Sequence, residues 1–311
     1  MAIRIAGCVP VCVATDERYQ PRLDALRAAI TPRTRAIMPV HLGQQMCDMD
    51  RIDEIAQRHR LAIVEDCAHA HGQRWRDQGA GCIGDFGSFS HQSTKILTAG
   101  EGGTLTTQDE ALARRAHSLI DCGRPKDAAE TEYTFGANYR LGELACALLV
   151  NGLRRFPAQQ ELRARLGEHF EKLAAGIPGV TIKRRDPRIT RWSFYRYIFE
   201  IGPEAFAGAT NEQVAEALEA EGVPAEVQYP PMSRYDLFQP SLSRLPVAVE
   251  YADRLDPAKM SFPVAEAAGE RAAVYLNECI FRSDEAGVEH AVEAIAKVQR
   301  LAAEIPAVTA A

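Results

Sequence analysis

Two stretches decide the fold: Leu61-Ala62-Ile63-Val64-Glu65-Asp66-Cys67-Ala68-His69-Ala70-His71-Gly72, and Phe86-Gly87-Ser88-Phe89-Ser90-His91-Gln92-Ser93-Thr94-Lys95, which runs on to Ala99-Gly100-Glu101-Gly102-Gly103. Each begins as a short apolar run, the pattern of a buried strand, and passes into residues that carry chemistry. Ligands of open α/β sheets bind beyond the carboxyl ends of the strands. Asp66 and Lys95, 29 residues apart, are therefore expected to face one pocket from two loops.

Working outward, the first half alternates apolar runs with amphipathic stretches, which predicts an α/β layout with a mostly parallel sheet. Strands are expected at Val9–Val13, Ala36–Val40, Leu61–Val64, Phe86–Ser90 and Gly103–Thr107, and helices at Leu23–Ile30 and Glu110–Ile120. Met49, Ile52, Ile55 and Ala56 fall on one helical face. A long helix is expected from about Ala158 to Ala175, with Leu162, Leu166, Phe170 and Leu173 on one side, ending at Gly176 and Pro178. Beyond it lie strands at Val180–Lys183 and Tyr195–Ile201. A helix capped by Thr210 with Gln213 should end at Gly222, and a last one carries Val288, Val292 and Ile295. The division expected is a cofactor-type large domain over 1–157 and a smaller C-terminal α+β domain over 158–311, with a frayed Ala-rich tail after Ile305.

Composition narrows the function. With 311 residues, 46% hydrophobic and 25% charged, the chain can bury a substantial core. A net charge of −6, with Lys and Arg scattered, gives no basic stripe for nucleic acid and no polybasic patch for a membrane. No stretch approaches the apolar length that spans a bilayer, and the start at Met1-Ala2-Ile3-Arg4-Ile5 has no leader pattern. Eight scattered cysteines without a CxxC pair suit a reducing, cytoplasmic setting. Small-molecule chemistry is the class that remains.

Pyridoxal phosphate requires a lysine amine for its aldehyde and an anion that keeps its ring nitrogen protonated, so that the ring can take up electrons. Lys95 and Asp66 supply that pair. With the trailing Gly100–Gly103 run and with Thr31-Pro32-Arg33-Thr34-Arg35-Ala36-Ile37-Met38-Pro39-Val40-His41 upstream, the sequence resembles the DegT/StrS family of fold-type I pyridoxal phosphate enzymes, which aminate keto-sugars and keto-cyclitols. The resemblance runs from Ile3 to about Val298.

The resemblance implies that Asp66 pairs with the pyridine nitrogen, that His69 sits beside the ring near its phenolic oxygen, that Ser90 bonds the phosphate and that Lys95 forms the internal aldimine. Gly136-Ala137-Asn138-Tyr139-Arg140-Leu141 resembles the segment whose asparagine reaches the phosphate in the neighbouring subunit, so Asn138 implies a homodimer with shared sites. Trp192–Tyr197 and Gln228-Tyr229-Pro230-Pro231 look closest to members that act on scyllo-inosose-type cyclitols. The implied reaction moves an amino group from glutamine or glutamate to a keto-cyclitol or keto-sugar in aminoglycoside or other secondary metabolism. The family's phosphate loop and ring-stacking aromatic precede the point matching Met1, so the large domain is expected to be N-terminally incomplete, with Met1 internal to a longer gene.

Other readings of these residues exist. Asp66 can serve as a helix cap, Ser90 as a strand-end hydroxyl, Asn138 as a turn residue and Cys67 and the aromatics around Trp192 as packing. His69, His71 and Asp66 have the residue types of a metal site, but no third partner of known spacing, and no metal is expected. The family's dehydratase branch lacks the lysine that stands here as Lys95. An impaired homologue that serves as a partner or regulatory subunit remains the alternative to the enzyme.

Overall fold

In the computed structural model, which describes residues 1–125, 134–227 and 229–305, regular structure begins with helices α1 (Ala2–Ile5) and α2 (Leu23–Ala29). It continues through strand β1 (Ala36–Ile37), α3 (Met49–His59), β2 (Ala62–Asp66), β3 (Arg74–Trp75), β4 (Gln78–Gly79), β5 (Phe86–Ser90), β6 (Gly103–Thr106) and α4 (Glu110–Ile120). The long helix α5 (Glu143–Ala174) leads to β7 (Val180–Ile182), β8 (Ile189–Arg191), β9 (Arg196–Ile201), α6 (Asn211–Ala220) and β10 (Ala225–Val227). Then come α7 (Pro246–Glu250), α8 (Pro263–Ala267), β11 (Ala273–Asn277) and α9 (Glu285–Arg300). Gln228 and the tail beyond Ile305, both read in the sequence, lie outside the described residues. No described helix is long and apolar enough to cross a membrane.

The chain divides into two compact units, one of residues 33–165 and 185–196, the other of 1–32, 166–184 and 197–311. The first holds the sheet β1-β2-β5-β6. β1 and β2, and β2 and β5, run parallel, while β6 returns antiparallel along β5. This is the mostly parallel α/β sheet expected, and the register sets Asp66 beside Ser88. α3 explains itself from its sequence: Asp48 caps it by accepting from the Arg51 N–H at 3.2 Å, Met49, Ile52, Ile55 and Ala56 are all buried, and Arg60 closes it in the left-handed region at φ 53°. A second small sheet, β4-β3-β8, is held by Arg188, whose guanidinium lies 4.4 Å from the Trp75 ring and binds the carboxylates of Asp48, Asp50 and Asp186.

The second unit carries the sheet β10-β11-β9-β7. Phe170, Tyr197 and Phe281, all fully buried, meet there at ring separations of 5.0 to 5.7 Å. The Thr210/Gln213 capping box forms as the sequence predicts, and Val288 and Ile295 of α9 are buried. Arg4 is buried in the same unit because its guanidinium donates to the Phe238 carbonyl at 2.5 Å and stacks over that ring at 4.7 Å.

Two expected elements differ. Val9–Val13 forms no strand; its β-prone side chains find no neighbouring strand to pair with among the described residues, and a single bridge joins Thr15 to Pro21. The long helix starts at Glu143, well before Ala158, and continues through Pro157. Leu144, Leu148 and Leu153 are exposed on its first half while Leu149 and Phe156 are buried, so the apolar spacing there carries no single-face signal. Leu173, expected on the apolar side, is exposed, whereas Leu166 and Phe170 are buried.

Candidate active site

Asp66 ends β2 and Lys95 follows β5 by five residues, so both leave the carboxyl ends of adjacent parallel strands in one unit. The Asp66 main chain is fixed from both sides, its N–H donating to the Pro39 carbonyl at 2.8 Å and its carbonyl accepting from His41 at 3.1 Å. Its carboxylate Oδ1 accepts from the Ala68 N–H at 3.0 Å, and Oδ2 has no protein hydrogen-bond donor among the described residues.

Beneath it lies Glu65, fully buried yet ionised. Oε1 accepts from the N–H groups of Ile83 and Gly84, both at 2.8 Å, and Oε2 from Gly81 at 3.0 Å and His41 Nε2 at 3.1 Å. Burial alone would push its carboxyl up, but the His41 and backbone hydrogen bonds outweigh that and hold it below the usual range. His41 is the neutral Nε2–H form, because Nδ1 accepts the Cys47 N–H at 3.1 Å. The ligand-type atoms of His41, Glu65 and Cys67 lie within 4.8 Å of one another. All four acceptor positions of the carboxylate are already filled by N–H groups, so this cluster is a closed hydrogen-bond network. It anchors the 81–84 turn against the strand that presents Asp66.

The Lys95 loop is stitched to itself around His91. The His91 N–H donates to the Gly102 carbonyl, its carbonyl accepts from Ala99, and its Nδ1–H donates to the Leu97 carbonyl, each at 2.9 Å. Leu97 and Ala99 pack against Leu149 and Phe156. Gly102 stands at φ +132°, where a Cβ would also strike Leu141. A polar, glycine-ended loop is thereby rigid, and it presents the Lys95 side chain.

The Lys95 amine is half-buried and has no hydrogen-bond partner among the described residues; its described contact is the Tyr195 ring face, 4.0 Å from the centroid. Burial, with Arg196 adding repulsion and Asp66 opposing it, lowers its pKa to about 8. At pH 7.5 such an amine is roughly one-quarter neutral, against roughly one in a thousand for an ordinary lysine. His69 stands against the same ring at 4.7 Å and accepts from the Gly43 N–H at 3.4 Å. Burial, reinforced by Lys95 and Arg196, holds it neutral down to about pH 3. His71 donates from Nε2 to the Ser90 carbonyl at 2.9 Å, and its buried Nδ1 has no hydrogen-bond partner among the described residues. The Ser90 hydroxyl accepts from the Gln92 N–H at 3.4 Å.

Asp66, His69, Ser90 and Lys95 thus fall on the two loops that end β2 and β5. Asn138 is not among the residues gathered round Lys95: it is exposed, and its backbone bridges to Asp121, whose carboxylate binds Arg140. Sequence reasoning took Tyr195 and Arg196 only as part of the Trp192–Tyr197 run and Thr94 only as part of the stretch ending at Lys95, and gave none of them a role of its own. Tyr195 lies in an aromatic run that reads as packing, a hundred residues from Lys95, and no local spacing signals the contact.

The family model described as the DegT/DnrJ/EryC1/StrS aminotransferase family matches residues 1–280. A protein of Streptoalloteichus tenebrarius provisionally named L-glutamine:3-amino-2,3-dideoxy-scyllo-inosose aminotransferase is 41% identical over 306 residues, covering 94% of this chain and 72% of its own. An L-glutamine:2-deoxy-scyllo-inosose aminotransferase of the same organism is 37% identical, over 97% of this chain and 74% of its own. Among solved structures, 3-amino-5-hydroxybenzoic acid synthase superposes with a TM-score of 0.81 at 30% identity, covering 96% of this chain and 76% of that one.

Proposed function

From the premise that this chain belongs to the DegT/DnrJ/EryC1/StrS aminotransferase family, we propose that it moves an amino group from L-glutamine to the ketone carbon of a cyclitol related to scyllo-inosose, using pyridoxal phosphate. Glutamate is the other donor the sequence reading allows. The observation that carries the reading is the half-buried amine of Lys95, titrating near 8 with no hydrogen-bond partner among the described residues, within electrostatic reach of Asp66. The acceptor and donor classes come from the relatives' names, and such steps belong to aminocyclitol antibiotic biosynthesis.

The donor set fits the cofactor. Asp66 keeps Oδ2 clear of hydrogen-bond donors among the described residues, as a partner for a protonated ring nitrogen requires. Lys95 offers an amine that is nucleophilic near neutral pH. Ser90 offers a hydroxyl for the phosphate, and His69, held neutral, offers an uncharged imidazole beside the ring's oxygen. Asn138, exposed, is assigned to the phosphate of a second copy's site in a homodimer. The eight free cysteines accord with a reducing cytoplasm.

When bound, pyridoxal phosphate supplies an electron sink for the carbon that carries the donor nitrogen. Lys95 would hold it through its amine, and that amine, when free, would be the group that takes up and returns a proton at the donor's α-carbon. Asp66, its carboxylate anchored by the Ala68 N–H, would be the anionic partner of the ring nitrogen. His69 can serve as a neutral hydrogen-bonding group without adding a charge beside Lys95.

The test is purified protein with pyridoxal phosphate, borohydride fixation and peptide mapping, beside mass-spectrometric detection of amine transfer from L-glutamine to 2-deoxy-scyllo-inosose. The label is expected on the Lys95 peptide, and Lys95→Ala should abolish label and transfer together. Asp66→Asn should keep the label and slow transfer. Undiminished transfer by Lys95→Ala would remove the assignment.

A further inference from the structure

Tyr195 is only 4% exposed, yet it meets both loops of the site. Its hydroxyl is hydrogen-bonded to Thr94, its ring face lies under the Lys95 amine, and the His69 ring packs against it at 61°. The segment 185–196 that carries it belongs to the same compact unit as Lys95 and His69. An aromatic placed only to fill space has no need to set its face 4.0 Å from the reactive amine, or to join its hydroxyl to the residue next to that amine.

We propose that Tyr195 is the positioning residue of the reactive amine: its ring face is where the Lys95 side chain rests whenever its nitrogen is not covalently engaged, and the Thr94 hydroxyl holds that ring in place. An ammonium moved out of water without an acceptor is costly to keep, and the negative ring face is the one compensating contact described for it. Such a contact is weak enough to release the amine. The Arg196 guanidinium lies 4.4 Å from the same ring and is always charged, so it disfavours a second full charge there. Asp66 draws the other way, and His69 is held neutral. The ring thus steadies the amine while its surroundings keep a fraction of it neutral.

The proposal deepens the aminotransferase reading and rests on it for its meaning, but it can be tested without cofactor. In the cofactor-free protein, trace acetic anhydride labelling across pH 6 to 11, read on the Lys95 peptide by mass spectrometry, should give an inflection near 8 for the native chain. Tyr195→Phe keeps the ring but loses the Thr94 hydrogen bond, so it should inflect slightly below the native chain and together with Thr94→Val. Tyr195→Leu, which removes the ring face, should inflect lower than the Phe variant by about half to one and a half pH units. Thr94 is exposed, so Thr94→Val serves if the Leu variant does not fold, and it should shift the inflection downward too. Coincident Phe and Leu curves, or a Thr94→Val curve identical to the native one where the Leu variant does not fold, overturn the proposal. A protein that shows these shifts but binds no pyridoxal phosphate would leave the Tyr195 contact standing and remove the functional reading instead.

Discussion

Replacing Glu65 by Gln tests whether the network under Asp66 is electrostatic. The carboxylate accepts four N–H groups from a site with no solvent exposure, two at 2.8 Å, one at 3.0 Å and one at 3.1 Å. Hydrogen bonds to a charged group contribute about 1.5–3 kcal/mol each. Glutamine keeps one accepting oxygen, and its amide turns two protons on two N–H donors. Flipping the amide only exchanges which pair is opposed, and His41 cannot switch tautomer because Nδ1 already accepts from Cys47. The expected loss is about 3–6 kcal/mol, two such bonds giving way to opposed N–H groups. Both tryptophans, Trp75 and Trp192, lie in the unit that contains Glu65, so fluorescence-detected urea unfolding reads that unit directly. The folded carboxyl titrates below its usual value. Its contribution is therefore complete above the unfolded value near 4.5 and is lost as pH falls through the folded one, so the deficit of the variant should shrink in acid. A loss below about 1 kcal/mol at pH 7 would refute the reasoning, since that is the scale of a single neutral hydrogen bond.

Two further outcomes follow from the same unit. His69 and His71 are buried neutral, down to about 3 and about 4; between the unfolded value of 6.5 and those values the unfolded chain binds the extra protons, so stability should fall as pH drops from 7 to 5, by up to roughly 1.4 kcal/mol per pH unit for each ring. A urea midpoint that is flat over that range would contradict their burial. Gly87→Ala should cost at least about 3 kcal/mol or prevent folding, because a Cβ there runs into the Cα of Gly81 and comes within 2.6 Å of its carbonyl oxygen, backbone against backbone in the turn that Glu65 holds; a soluble variant with a native urea midpoint would show that the 81–84 turn can move.

The sequence by itself determined the elements whose signals are local. The strands ending at Asp66 and Ser90, the α3 face, helix α4 and the Thr210 capping box all come from signals that act within a few residues, and they formed where expected. Lys95 and Asp66 were legible because topology places the carboxyl ends of parallel strands at one edge of the sheet. Tertiary structure decided what depends on a distant partner. Val9–Val13 is β-prone but has no strand to pair with among the described residues, and α5 extends back to Glu143 although its exposed leucines break the amphipathic pattern. Only the fold brings Tyr195 across a hundred residues to Lys95, and only burial turns an ordinary lysine into an amine that titrates near 8. The physical reason is the same in each case: spacing along a chain encodes which face a residue takes, while desolvation and cross-chain contact exist only once the chain has closed on itself.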